Sequence, residues 1–215
     1  VAYQDCDYNY RLTVRRLSGG TWVDVGARGF NGSLLRQVHL AFAPDGSPWV
    51  AYSDDNNSGR LVVRRYNGSS WVQVGAAGLS EALAYSPCLA FAPDGAAHVI
   101  FSDPLQDWSS WKAKVLRYNG SAWVAVGPAA GFSSDGALYT RLAFAPDGSL
   151  YAAYEELSTN TSSTIDGRAT VMRYNGTAWA AVGRRLATPK RTVARRFVSC
   201  WRGRGVGDSR ACAAR

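Results

Sequence analysis

Carboxylates are the residues of this sequence best placed to do chemistry. They come in close pairs: Asp5 with Asp7, Asp54 with Asp55, Asp103 with Asp107, and Glu155 with Glu156. Paired carboxylates can act as acid and base on a glycosidic bond, or gather a calcium ion through their oxygens. The run Asp5-x-Asp7-x-Asn9 opens like an EF-type calcium loop. Its sixth position is Tyr10 where glycine is needed, and its twelfth is Arg16 where a bidentate glutamate is needed, which excludes that site. No cofactor is expected, and a loosely bound calcium is the one that the carboxylates leave open. His39 and His98 are isolated, and no Ser/His/Asp grouping accompanies them. Cys6, Cys88, Cys200 and Cys212 match no zinc knuckle or C-x-x-C pair, so no catalytic residue and no metal site is assigned.

Aromatic residues give a second kind of chemistry, because flat rings beside polar groups suit stacking on sugar faces or anchoring a protein partner. The segment Asp103-Pro-Leu-Gln-Asp107-Trp108-Ser-Ser-Trp111 carries two tryptophans, and Tyr8 and Tyr10 flank Asn9. Together with the acidic neighbours these define a ligand-binding set: Trp108, Trp111, Asp103, Asp107, Tyr8, Tyr10, Asp54 and Asp55. A structural reading competes for some of them. Asp and Asn end strands and solvate loops without any ligand, and Trp111 can extend a strand as packing.

The elements that position these residues come from a repeat. Trp22, Trp71, Trp123 and Trp179 stand 49, 52 and 56 residues apart, each opening a Trp-x-x-Val-Gly pattern. One copy reads Leu89-Ala-Phe-Ala-Pro-Asp-Gly95, His98-Val-Ile-Phe-Ser-Asp103, Val115-Leu-Arg-Tyr-Asn-Gly120 and Ala122-Trp-Val-Ala-Val-Gly127. Each piece is a short strand bounded by turn residues. The Pro-Asp-Gly turns at 43–46, 92–95 and 145–148 suit type I geometry, which gives Asp45, Asp94 and Asp147 a turn role. Tyr-Asn-Gly at 66–68, 118–120 and 174–176 predicts a type I′ hairpin, with Ser18-Gly19-Gly20 in the first copy. Because tight and long links alternate, all the long loops must emerge at one end of the sheets.

Tandem four-stranded units of this size resemble β-propeller blades. The units Leu142-Ala-Phe-Ala-Pro-Asp-Gly-Ser-Leu-Tyr-Ala-Ala-Tyr154 and Val171-Met-Arg-Tyr-Asn-Gly-Thr-Ala-Trp179 resemble repeats of bacterial and green-algal propeller proteins, which are mostly secreted or surface modules. The expected fold class is all-β: a β-propeller of four-stranded antiparallel blades, about four of them present, read as part of a larger ring. The blades occupy 1–183, as a partial first blade 1–26 and then 37–75, 87–127 and 139–183. A closed four-bladed ring, with Phe197-Val198-Ser199-Cys200 as its missing inner strand, is the alternative.

The net charge of +8 looks like an invitation to nucleic acid, but its location argues otherwise. Residues 1–183 hold 14 basic and 15 acidic groups, while 184–215 hold 10 basic groups and Asp208 alone. No nucleic acid is therefore expected from 1–183, and 184–215 reads as a basic tail, disordered or foreign to the fold. No apolar run reaches membrane-spanning length. Among six Asn-x-Ser/Thr sequons, Asn31, Asn56 and Asn160 lie outside hairpin turns and are the glycosylation candidates. The expectation is a non-catalytic extracellular or cell-surface module that presents loops to a glycan or protein ligand. A carboxylate-dependent hydrolase or lyase and an intracellular scaffold are the alternatives.

Overall fold

The computed structural model describes residues 1–104, 111–158, 166–183 and 186–187. Runs of β-branched and aromatic residues between glycine-bearing turns form strands that pair antiparallel with their neighbours in chain order. The first sheet has β1 (Ala2–Asp5), β2 (Arg11–Ser18) and β3 (Thr21–Asp24), and the second has β4 (Leu35–Phe42), β5 (Pro48–Asp54), β6 (Arg60–Tyr66) and β7 (Trp71–Gln73). The third sheet is β8 (Tyr85–Phe91), β9 (Ala97–Pro104), β10 (Trp111–Tyr118) and β11 (Trp123–Ala125). The fourth is β12 (Gly136–Phe144), β13 (Leu150–Ser158), β14 (Asp166–Tyr174) and β15 (Trp179–Ala181).

A two-residue strand, β16 (Leu186–Ala187), pairs with β14 at Ala169 and Arg168. The same return contact recurs upstream: the amides of Phe30, Leu79 and Phe132 donate to the carbonyls of Leu12, Leu61 and Ala113. The repeat thus continues past Gly183 into the first residues of the basic segment.

The hairpins explain their own sequences. In the Pro-Asp-Gly turns, Gly46 donates to Ala43 O at 2.8 Å, and the Asp45 carboxylate accepts from Ser47 N at 2.8 Å. Asp94 and Asp147 accept likewise from Ala96 and Ser149, so the recurring aspartate is a turn residue. The Asn-Gly hairpins differ from expectation. Tyr66 pairs with Trp71 across a four-residue loop in which only Gly68 is left-handed, at φ 100°. Asn67 acts through its side chain, accepting from Ser69 N and Ser70 N at 3.0 and 2.9 Å. Only the first copy has the two-residue turn, with Gly19 and Gly20 both at positive φ.

Between successive sheets the core is closed by a latch. The indole N–H of Trp71 donates to Val25 O at 2.7 Å, that of Trp123 to Val74 O at 2.9 Å, and that of Trp179 to Val126 O at 2.8 Å. The next residues, Gly26, Gly75 and Gly127, have φ between 73° and 96°, and a Cβ on any of them would fall 2.7–2.9 Å from the indole of the following sheet. This accounts for Trp-x-x-Val-Gly: each copy's Val-Gly receives the next copy's tryptophan. Phe30 and Phe132 stack on Trp71 and Trp179 at centroid distances of 4.8 and 4.3 Å.

Candidate functional site

The long-loop end is where β1, β5, β9 and β13 finish and β2, β6, β10 and β14 begin. Two residues before the last buried position of each finishing strand stands an aromatic: Tyr3, Tyr52, Phe101 and Tyr154. Strand alternation therefore turns Asp5, Asp54, Asp103 and Glu156 to the same side as those rings. All four carboxylates are buried. Asp54 accepts from the Ser33 hydroxyl, from Asn57 Nδ2 at 2.7 Å and from Asn56 N at 3.3 Å. Asp103 accepts from the amides of Glu81 and Ala82 at 3.1 and 3.3 Å and from Lys114 Nζ at 3.0 Å. Glu156 takes the Ser134 hydroxyl and Thr170 Oγ1. Ser33, Glu81 and Ser134 all lie in the linkers between sheets, so this recurring carboxylate fastens each linker to the sheet that follows.

Asp5 binds Arg28 instead, through Nε at 3.0 Å and Nη2 at 2.8 Å. Burial alone would raise its carboxyl, but hydrogen bonds from Thr13 and Arg28, with the Arg28 charge, outweigh that and hold it below the usual carboxylate range. Lys114 likewise resists the downward pull of burial, because Glu81 and Asp103 raise it.

The residues picked out from sequence therefore separate. Asp54 and Asp103 are buried in the fastening just described, and Trp111 is buried and stacked on Tyr85 at 4.2 Å. Asp55 faces Arg36 Nε at 2.6 Å at the rim of the same end. Tyr8 and Tyr10 stay at the surface, 41% and 50% exposed. Trp108, Asp107 and Asn160 lie outside the described residues. Asn31 is buried, accepting from Leu12 N and donating to Ser33 O, both at 2.7 Å, whereas Asn56 is exposed.

Tyr10 has an unusual backbone. It sits at φ 59°, the place that Gly59 holds in the next copy at φ 73°. Its carbonyl accepts from Leu35 N at 2.9 Å, as the Gly59 carbonyl accepts from Ala84 N at 3.0 Å. A bulky residue in the left-handed region costs about 1 kcal/mol or more and persists where surrounding structure holds it. The Arg28 guanidinium lies 4.4 Å from the Tyr8 ring centroid while bridging Asp5 and Asp7, so a cation is built into this aromatic patch.

The sequence did not single out the polar rim on the inner strands. β8 and β12 shift register at Ser86 and Tyr139, which have φ of 50° and 51°. Ser86 N donates to Gln37 Oε1, Tyr139 N to Ser86 Oγ at 3.2 Å, and Thr140 Oγ1 to Ser86 O at 2.6 Å. Tyr139 is 53% exposed. One signal was available: Gln37, Ser86 and Tyr139 share a phase of the repeat and differ, while Leu40, Leu89 and Leu142 at a neighbouring phase do not.

Deeper along these strands, His39 Nδ1 accepts from Leu89 N at 3.1 Å, and Nε2 lies 3.7 Å from Cys88 Sγ. Burial, with the nearby Arg141 charge, pushes His39 down to about 4, and burial pushes the Cys88 thiol up. Neither is primed as base or nucleophile at neutral pH. Among the described residues no group of three or more His, Cys, Asp or Glu could hold a metal ion, and no helix is long and apolar enough to cross a membrane.

No protein-family model matches the chain, and neither does any curated protein. Solved structures do. The Penicillium chrysogenum α-L-arabinanase complexed with arabinobiose matches with a TM-score of 0.59 at 20% identity, over 81% of this chain and 58% of that one. The chain is a run of β-propeller blades. A Dyadobacter fermentans protein of unknown function matches with a TM-score of 0.57 at 16% identity, over 83% and 60% of the two chains. AofleA from Arthrobotrys oligospora matches with a TM-score of 0.54 at 14% identity, over 88% and 53%. The blades thus span between half and two-thirds of the length of these three, and the likeness is one of fold.

Proposed function

We propose that the chain is a non-catalytic glycan-binding module of a secreted or cell-surface protein, taking its ligand at the long-loop end. The observation that carries this reading is the exposed Tyr8 and Tyr10 pair, with Tyr10 held at φ 59° and Arg28 against the Tyr8 ring. Two rings offer stacking faces, and Arg28, Asp7, Asp55 and Arg36 offer charged donors and acceptors for hydroxyls. Trp108 and Asp107, singled out from the sequence for the same role, lie outside the described residues. The arabinobiose held by the Penicillium arabinanase supports a carbohydrate ligand for this kind of scaffold. Against catalysis stands the employment of the carboxylates. Asp5, Asp54, Asp103 and Glu156 are buried in structural bonds, while Asp7, Asp55 and Glu81 each face a cation.

The test is a glycan microarray, followed by calorimetric titration of the best-bound oligosaccharide. Tyr8→Ala and Tyr10→Ala should each weaken binding by about 1 kcal/mol, roughly fivefold, with no sugar released on long incubation. Burial raises the Glu155 carboxyl from its ordinary value, the direction that a general acid needs. Release of sugar that Glu155→Gln abolishes would establish the hydrolase instead.

A further inference from the structure

The hairpins that lead into β7, β11 and β15 each hold an asparagine whose amide nitrogen the turn does not use. In Tyr66-Asn67-Gly68-Ser69, Tyr118-Asn119-Gly120-Ser121 and Tyr174-Asn175-Gly176-Thr177 the asparagine is exposed. Its Oδ1 accepts from the backbone amides two and three residues on. These are Ser69 and Ser70 at 3.0 and 2.9 Å, Ser121 and Ala122 at 3.0 and 2.8 Å, and Thr177 and Ala178 at 3.0 and 2.8 Å. The same oxygen accepts from the hydroxyls of Ser69, Ser121 and Thr177 at 3.0, 3.0 and 2.9 Å. Three donors thus converge on the oxygen, and among the described residues Nδ2 makes no hydrogen bond in any of the three copies. Asn31 is the reverse case, buried and with its Nδ2 donating to Ser33 O.

Turn geometry accounts for the two amide bonds and not for the hydroxyl. In the Pro-Asp-Gly turns the aspartate likewise accepts from the amide two residues on, and alanine serves there as well as serine, at Ser47, Ala96 and Ser149. The asparagine hairpins keep a hydroxyl at the corresponding place in all three copies.

We propose that Asn67, Asn119 and Asn175 are sites of N-linked glycosylation. An exposed asparagine with a hydroxyl residue two positions on is the acceptor for a transferase that uses a lipid-pyrophosphate-linked oligosaccharide. A bond forms between Nδ2 and C1 of the first sugar, the bond from C1 to the pyrophosphate oxygen breaks, Nδ2 gives up one proton, and the lipid pyrophosphate leaves. Tight and long links alternate between the two ends of an antiparallel sheet, so these hairpins stand at the end opposite the long loops. Glycans there clothe that end and leave Tyr8 and Tyr10 clear. The modification rests on the reading of the chain as part of a secreted or cell-surface protein.

Secretion of the full 215-residue chain from a host that makes high-mannose glycans, under a leader supplied for the purpose, tests it. Endoglycosidase trimming leaves one N-acetylhexosamine on each occupied asparagine, and peptide mass spectrometry reads its mass. The added mass is expected at Asn67, Asn119 and Asn175. It should vanish one site at a time in Ser69→Ala, Ser121→Ala and Thr177→Ala, and persist in Ser69→Thr, which keeps the hydroxyl. The alanine variants retain both amide bonds to Oδ1, so their melting temperatures should stay within about a degree of the unsubstituted chain made without glycan. The unsubstituted chain carries the test alone if a variant is not secreted. A secreted chain bare at all three hairpins overturns the proposal, as does added mass that survives loss of the hydroxyl. Because the leader is supplied, either failure is separate from the question of where the natural protein resides.

Discussion

Replacing Gly75 by alanine should cost more stability than the same change at Gly46, and the difference measures the latch between sheets. Both glycines are left-handed, at φ 73° and 80°, so each substitution incurs the backbone cost of placing an L-residue there, about 1–2 kcal/mol. Among the described residues nothing lies within 4 Å of the new methyl at Gly46, and the cost ends there. At Gly75 the methyl would fall 2.7 Å from Trp123 Cδ1 and 3.0 Å from its Nε1, so the indole must withdraw. Withdrawal breaks the 2.9 Å bond to Val74 O, at about 0.5–1.5 kcal/mol, and loosens ring packing against Leu79 and Val74. The expected losses are therefore about 1–2 kcal/mol for Gly46→Ala and about 2–4 kcal/mol for Gly75→Ala. Urea unfolding would resolve them, and each kcal/mol corresponds to about 2–4 °C of melting temperature for a chain of this size. Equal losses in the two variants would refute the latch.

Further outcomes follow from other residues. His39, held near 4 in the fold against 6.5 free, makes the folded state lose stability as pH falls from about 6.5 towards 4, because the unfolded chain takes the proton first. Denaturation at pH 7 and 4.5 should show the native chain losing about 2–3 kcal/mol more than His39→Gln across that interval. Asp103→Ala should leave Lys114 and the amides of Glu81 and Ala82 short of a partner, costing about 3 kcal/mol in chemical denaturation. Asn31→Ala should cost about 1–3 kcal/mol, and mass spectrometry of material secreted from a eukaryotic host should find glycan at Asn56 and none at Asn31.

Strands, hairpin positions and the long-loop end were legible because turn residues and the spacing of Trp22, Trp71, Trp123 and Trp179 report backbone geometry directly. The Asn-Gly turns misled because Asn67 tolerates left-handed backbone yet works here as a side-chain acceptor in a longer loop. Asp54 and Asp103 looked like ligand residues because they stand in acidic pairs. Their recurrence with Asp5 and Glu156, each two residues beyond an aromatic, was the sign of a structural role. Trp111 follows the same lesson, since an aromatic that breaks the repeat can still pack on another, Tyr85. Arg28 was missed for a physical reason: it joins Asp5 and Tyr8 across a linker, and no local spacing encodes that contact.

Amide chemical-shift mapping, with the best-bound array oligosaccharide titrated into isotope-labelled protein, would locate the ligand on one end of the blades or the other. Shifts should concentrate at residues 7–10, Arg28, Arg36 and Asp55, with the hairpin end around Asp45, Asp94 and Asp147 unmoved. Shifts centred on that hairpin end, with Tyr8 and Tyr10 silent, would contradict a site at the long-loop end.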